Sequence, residues 1–244
     1  MSASKPLENW LVFFNPSELD SLSDQMFIDE LKGNKSFFGL AVDGGIKRAN
    51  QLELPVNWHI GDFDSSVNSC DSYQQNLKWC GINKLATSTP QSNEFQVIKF
   101  SREKDFLDGE AVFEILRSRN LDQVIFFDFW QGRWDFSLFH FMCLRFNDWL
   151  ANHLRIVLPN GSCYYAEGTR TFTASKGTSF SILPLEIMEN IKLRGSKYDG
   201  DFNQFSPQKG HSLSNIFASD SVQISVGNKT RYLFFVFNNL GVHA

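Results

Sequence analysis

The sequence predicts an α/β protein: an N-terminal doubly wound, mostly parallel sheet domain over residues 1–153, then a smaller all-β sandwich over 154–244. Three observations predict this. Through the first part, short apolar runs alternate with helical periodicity five times over, the pattern of crossover-linked parallel strands. From about Leu154 helical periodicity stops, and strand-like runs are punctuated by Gly161, Gly168, Gly177, Gly195, Gly200, Gly210 and Gly227, as in small sandwiches or barrels. Third, the acidic motifs of the first half each follow a strand candidate, where open α/β sheets hold their ligands.

In order, Leu11 to Phe14 is a short buried strand, and Pro16-Ser17 opens a helical stretch to Lys32. Phe38 to Val42 is a strand ending in Asp43-Gly44-Gly45, where two glycines allow a tight turn or close backbone approach to a ligand. Ile46 to Asn50 begins a helix; its N-terminus suits an anion, and a plain turn fits equally. Trp58 to Ile60 runs into Gly61-Asp62-Phe63-Asp64-Ser65, and the polar stretch after it is helical towards Cys80. Phe95 to Phe100 is a strand. Asp105 and Asp108, three apart, share one side of a helical turn ahead of Ala111, Val112, Ile115 and Leu116; in the plain reading one of them caps that helix. Val124 to Phe129 is the most strand-like run, followed by Gln131-Gly132-Arg133-Trp134-Asp135 and a helix from Phe136 to Leu150. That helix is apolar nearly all round, which implies burial on several sides. The β-rich part runs through 155–158, 163–166, 171–174, 179–183, 190–193, 222–226 and 232–237.

In an extended segment Asp62 and Asp64 project to one face, about 7 Å apart along the chain. Two carboxylates that close repel unless a cation lies between them, and oxygen-only ligation suits Mg²⁺ with substrate phosphates. One acidic turn is weak evidence, but Asp43, Asp62, Asp64, Asp105, Asp108 and Asp135 on a shared edge make a site. Arg133 could fork onto a phosphate. His59 and His140 read as packing residues, one inside a strand and the other inside an apolar helix.

Composition narrows the classes. A net charge of −4 with pI near 5.7 and no basic run argues against nucleic acid. No apolar stretch reaches membrane-spanning length and no secretory signal opens the chain. Cys70, Cys80, Cys143 and Cys163 lack metal spacing and read as free thiols of a reducing, cytoplasmic setting. The 25 phenylalanines suggest a ring-packed core.

The ordered motifs resemble those of thiamin pyrophosphokinases. That family carries Asp-Gly-Gly, Gly-Asp-x-Asp-Ser, Lys-Asp-x-Thr-Asp-x-Glu and Gly-Gly-Arg-x-Asp-His. Asp43 to Gly45, Gly61 to Ser65, Lys104 to Glu110 and Gln131 to Phe136 are similar, in the same order. So are Ser181 to Leu185, Gly195 to Tyr198 and Ser212 to Asn215 with the family's later motifs. The resemblance implies a Mg²⁺-dependent transfer of diphosphate from ATP to thiamine, releasing AMP, by a homodimer. It implies Asp62, Asp64 and Asp105 as metal ligands, with Asp108, Arg133 and Asp135 in the catalytic set. Nucleotide binding falls to Asp43, Gly44, Gly45, Lys104, Arg133 and Asp135. Tyr198 would lie on the thiamine ring, with Ser214 and Asn215 hydrogen-bonded to its pyrimidine. Leu107 replaces the usual Thr, Gln131 a Gly, Phe136 the His and Tyr198 a Trp. Those departures keep a non-catalytic nucleotide- or thiamine-binding protein open as an alternative. A phosphatase using Asp62-x-Asp64 is disfavoured because two strands precede the motif.

Overall fold

The computed structural model describes residues 6–16, 25–33, 37–63, 78–79, 95–101, 103, 105–130, 134–210 and 213–238. They fall into two compact units that part after Trp149.

In the first unit six strands form one sheet: β1 (Glu8–Phe13), β2 (Phe37–Val42), β3 (Trp58–Gly61), β4 (Lys78–Trp79), β5 (Gln96–Lys99) and β6 (Leu121–Phe127). Their order is β6-β1-β2-β3-β5-β4, and each neighbouring pair is parallel. The chain runs outward from β1 through β2 and β3, then returns to set β6 on the other side of β1. That reversal is the switch point of a doubly wound sheet. Parallel strands covered on both faces need continuous apolar runs; Leu11, Val12, Phe13, Ile125, Phe126 and Phe127 are fully buried. Among the described residues four α-helices belong to this unit: α1 (Gln25–Gly33), α2 (Gly45–Leu52), α3 (Asp108–Arg117) and α4 (Trp134–Phe146). α1 buries Phe27, Ile28 and Leu31, one stripe at helical spacing.

Three expectations change. The stretch ending near Cys80 does not finish as a helix: Lys78 and Trp79 pair with Ile98 and Lys99 as a parallel edge strand, so sheet pairing prevails over local pattern. Asp105 and Asp108 do not share a helical turn, because α3 begins only at Asp108 and Asp105 lies in the bend before it. And α4 buries one side only, through Ser137, His140 and Leu144, while Trp134, Leu138, Met142 and Phe146 are exposed.

The second unit is an antiparallel sandwich. One sheet runs β13 (Asn215–Ile216), β10 (Ser179–Pro184), β15 (Arg231–Phe237), β8 (Gly161–Glu167) and β7 (Leu154–Leu158). The other runs β12 (Gly200–Phe205), β11 (Met188–Arg194), β14 (Ser221–Ser225) and β9 (Arg170–Thr173). Ile182 and Phe234 from the first sheet meet Ile191, Leu193, Val222 and Ile224 from the second in one buried cluster. Phe172 stacks on Phe234 at 3.8 Å between ring centres. No helix among the described residues is long and apolar enough to cross a membrane.

Candidate functional site

Three acids meet at the carboxyl ends of the first unit's strands. Asp43 follows β2, Asp62 follows β3 and Asp108 opens α3, and each has a carboxylate oxygen within 4.8 Å of the others. Asp43 is held in the left-handed region (φ 45°), a conformation short polar side chains tolerate. Its N–H donates to the Ile60 carbonyl at 2.9 Å, and its own carbonyl accepts from His59 Nε2 at 2.7 Å. Burial keeps the His59 pKa low, so the ring stays a neutral donor. Gly61 lies beside this carboxylate at φ 151°. A Cβ there would lie 1.8 Å from Asp43 Oδ1, so only glycine admits the acid to this position. Asp108 occupies the first turn of α3, where the helix dipole favours a negative group.

The crowding is visible in protonation. Asp43 is raised from 3.8 to about 7, first by burial, then by the charges of Asp108 and Asp62 and by a hydrogen bond with Asp108. A group of acids this close is stable only with a proton or a cation among them. Three hard oxygen donors on separate elements fit Mg²⁺ or Mn²⁺, and the group these described residues form holds no soft ligand to favour zinc.

Of the residues read from sequence, Asp43, Asp62 and Asp108 come together. Asp64, Lys104 and Arg133 lie outside the described residues. Asp105 is exposed and lines a cleft of about 490 Å³ with Phe106, Glu110, Phe113, Arg117 and Phe139. Asp135 is exposed in the first turn of α4. Gly44 and Gly45 have a packing reason of their own: a Cβ would lie 2.0 Å from Asn15 Oδ1 in the first case and 1.9 Å from the Phe13 carbonyl in the second. They let α2 start flush against the end of β1. In the sandwich Tyr198 is 57% exposed, with Lys197 Nζ over its ring at 5.3 Å from the centre. Ser214 is exposed and its N–H donates to Ser181 Oγ at 3.0 Å. Asn215 is buried; its Oδ1 accepts from the Tyr198 and Ile216 N–H groups, and its Nδ2 donates to Ser196 Oγ. Asn215 thus braces the turn that presents Tyr198.

One pair was not anticipated. Arg48 in α2 and Asp128, directly after β6, form a bidentate ion pair at 2.8 and 2.9 Å with both side chains fully buried. Asp128 follows a strand just as Asp43 and Asp62 do, and that rule applied to β6 would have found it.

Fold and acidic rim together define an α/β domain of the doubly wound class with a group of acids at the carboxyl ends of its strands, followed in the chain by a β-sandwich. The model of the thiamin pyrophosphokinase catalytic domain matches residues 30–158, more than half of the chain. The chain belongs to the thiamin pyrophosphokinase family. Among solved structures, thiamine pyrophosphokinase from Bacillus subtilis is similar at TM-score 0.72 and 15% identity, covering 96% of this chain and 100% of that one. The Geobacillus thermodenitrificans thiamin pyrophosphokinase is similar at 0.68 and 20%, covering 96% and 99%. The Candida albicans enzyme is similar at 0.67 and 13%, covering 95% and 89%. At these identities the likeness is one of fold. No curated protein sequence is similar enough to match.

Proposed function

We propose that the chain is a Mg²⁺-dependent thiamine diphosphokinase. In that reaction the thiamine hydroxyl attacks the β-phosphorus of ATP. A new O–P bond forms as the bridge to the α-phosphorus breaks, AMP leaves, and the hydroxyl proton is lost. The observation that carries the reading is the crowding of Asp43, Asp62 and Asp108 on the strand-end rim of a family member, with Asp43 forced to about 7.

Such transfer depends on positioning and charge neutralisation far more than on covalent help. Bound Mg²⁺ would neutralise phosphate oxygens and line the groups up. Asp62 and Asp108 would hold it, and Asp43 would join them on losing its proton. We assign Asp64 and Asp105 as supplementary acids of the same site, with Lys104 and Arg133 placed on phosphates and Asp135 steadying Arg133. Gly44 and Gly45 keep the start of α2 low, so that its N–H groups can approach the nucleotide. Tyr198 offers its face to the cationic thiazolium, a contact worth roughly 0.5–2 kcal/mol. Ser214 presents a hydroxyl to the pyrimidine beside it. The working form in this proposal is a homodimer.

Incubation with ATP, Mg²⁺ and thiamine tests the reading: AMP and thiamine diphosphate should form in equal amounts. Leu107 and Phe136 favour the second reading, a protein that binds nucleotide or thiamine without turnover. Binding of both ligands with no AMP would establish it and overturn the first.

A further inference from the structure

The Arg48–Asp128 pair is costly to build, since two charges lose all contact with water. Apolar side chains of similar volume often replace such a pair with no loss of stability, so its presence calls for a reason besides stability. What it joins is informative. Arg48 sits on α2, one helical turn past the Asp43-Gly44-Gly45 corner. Asp128 adopts φ 57° at the exit of β6. The next residue, Phe129, stacks face to face on His140 of α4 at 4.8 Å, and its carbonyl accepts from His140 Nδ1 at 3.0 Å. The far side of that ring touches α3: a Cβ on Gly109 would lie 2.5 Å from His140 Nε2. Gly109 is the neighbour of Asp108.

A closed circuit therefore runs behind the acid group: Asp43, α2, Arg48, Asp128, Phe129, His140, Gly109, Asp108. Its two ends are the two carboxylates that share a hydrogen bond. Every link is buried or a direct contact, and the ion pair is the one place where the circuit crosses from α2 to β6. We infer that Arg48 and Asp128 are positioning residues: their bidentate pair sets the spacing of Asp43 against Asp108 and so tunes the site for a divalent cation. The inference rests on the diphosphokinase reading for its purpose, while the pair's effect on the acids can be measured apart from it. A planar guanidinium fork fixes direction as well as distance, which an apolar contact cannot do.

The test uses the full chain with both sites made apolar, Arg48→Met and Asp128→Leu together, compared with wild type. Three quantities are read: melting temperature, Mn²⁺ affinity by calorimetric titration, and AMP release from MgATP and thiamine. Supporting groups behind metal ligands change affinity by roughly 10–100-fold when lost. The double variant should keep its melting temperature within a few degrees, lose at least about fivefold in Mn²⁺ affinity, and lose kcat more than it changes KM. A folded double variant with a smaller loss of Mn²⁺ affinity overturns the inference. Should the double variant not fold, Arg48→Lys keeps the charge, removes the fork and is read by the same titration. The two claims separate cleanly. Wild type that releases AMP beside an unperturbed double variant leaves the function standing and removes the pin. Mn²⁺ binding that weakens in the variant without AMP from wild type keeps the pin and removes the function. Neither binding nor turnover in wild type removes both.

Discussion

Asp43 is the residue on which chemistry and structure meet most closely. Its folded pKa of about 7 lies above the unfolded 3.8, so the folded chain holds this proton more tightly than the unfolded one. The sign follows: no penalty exists below the unfolded value, the penalty grows as pH rises between the two, and it is full above about 7. A divalent cation removes that penalty but must displace the proton to do so below it. The Mg²⁺-induced rise in melting temperature should therefore be small at about pH 5.5 and large at about pH 8; equal shifts at both would contradict the shared-proton picture. Gly61→Ala puts a methyl group onto the Asp43 carboxylate, 1.8 Å from its Oδ1. It should cost about 1–3 kcal/mol in denaturant unfolding and weaken Mn²⁺ binding; a variant as stable and as tight as wild type would refute that fit. Asp62→Asn keeps shape and removes charge, and should cut AMP formation roughly a hundredfold or more with the fold intact. Asp43 and Asp62 were legible because each acid follows an apolar run. Asp105 was read beside Asp108 from spacing alone, and spacing cannot say where a helix begins.

At the scale of elements, the start of α3 explains a departure from the family pattern. Leu107 occupies the N-cap of that helix in an extended conformation and supplies no side-chain hydrogen bond. Only half of a capping box survives, Glu110 Oε1 accepting the Leu107 N–H at 2.9 Å. A threonine at this position would cap α3 and steady Asp108, so the exchange acts through the helix. Leu107→Thr should raise stability by about 0.5–2 kcal/mol in chemical denaturation; no gain would mean that the hydroxyl cannot reach the free N–H groups. The inner strands of the parallel sheet were readable because they are buried in continuous apolar runs, whereas the two-residue edge strand β4 was not. β12 and β13 were not: Gly200–Phe205 is mostly polar and half exposed, and Asn215–Ile216 is only two residues long, so neither leaves a periodic trace. The Arg48–Asp128 pair spans 80 residues, and nothing local announces such a partnership.

At the scale of the molecule, the change in periodicity near Leu154 marked where regular helix stops and antiparallel pairing begins, and this needed no contact information. The phenylalanine excess likewise pointed to ring packing. In the first unit Phe13 stacks on Phe127 and Phe126 packs on Phe129; in the second, Phe172 and Phe180 stack on Phe234. Phe234 is fully buried between the two sheets. Phe234→Ala should destabilise by about 3–5 kcal/mol, measured by denaturant unfolding, and a loss below about 1 kcal/mol would show that this core relaxes around the gap. The exposed row Trp134, Leu138, Met142 and Phe146 on α4 runs against the same composition-based expectation, because an all-round apolar helix predicts burial without saying against what.

The most direct measurement of the central claim is anomalous diffraction from crystals soaked in Mn²⁺ and a non-hydrolysable ATP analogue. A peak bonded at about 2.1 Å to carboxylate oxygens of Asp62 and of Asp43 or Asp108 is the predicted result. An ordered nucleotide with no ion among these acids, or an ion bound elsewhere, would contradict it.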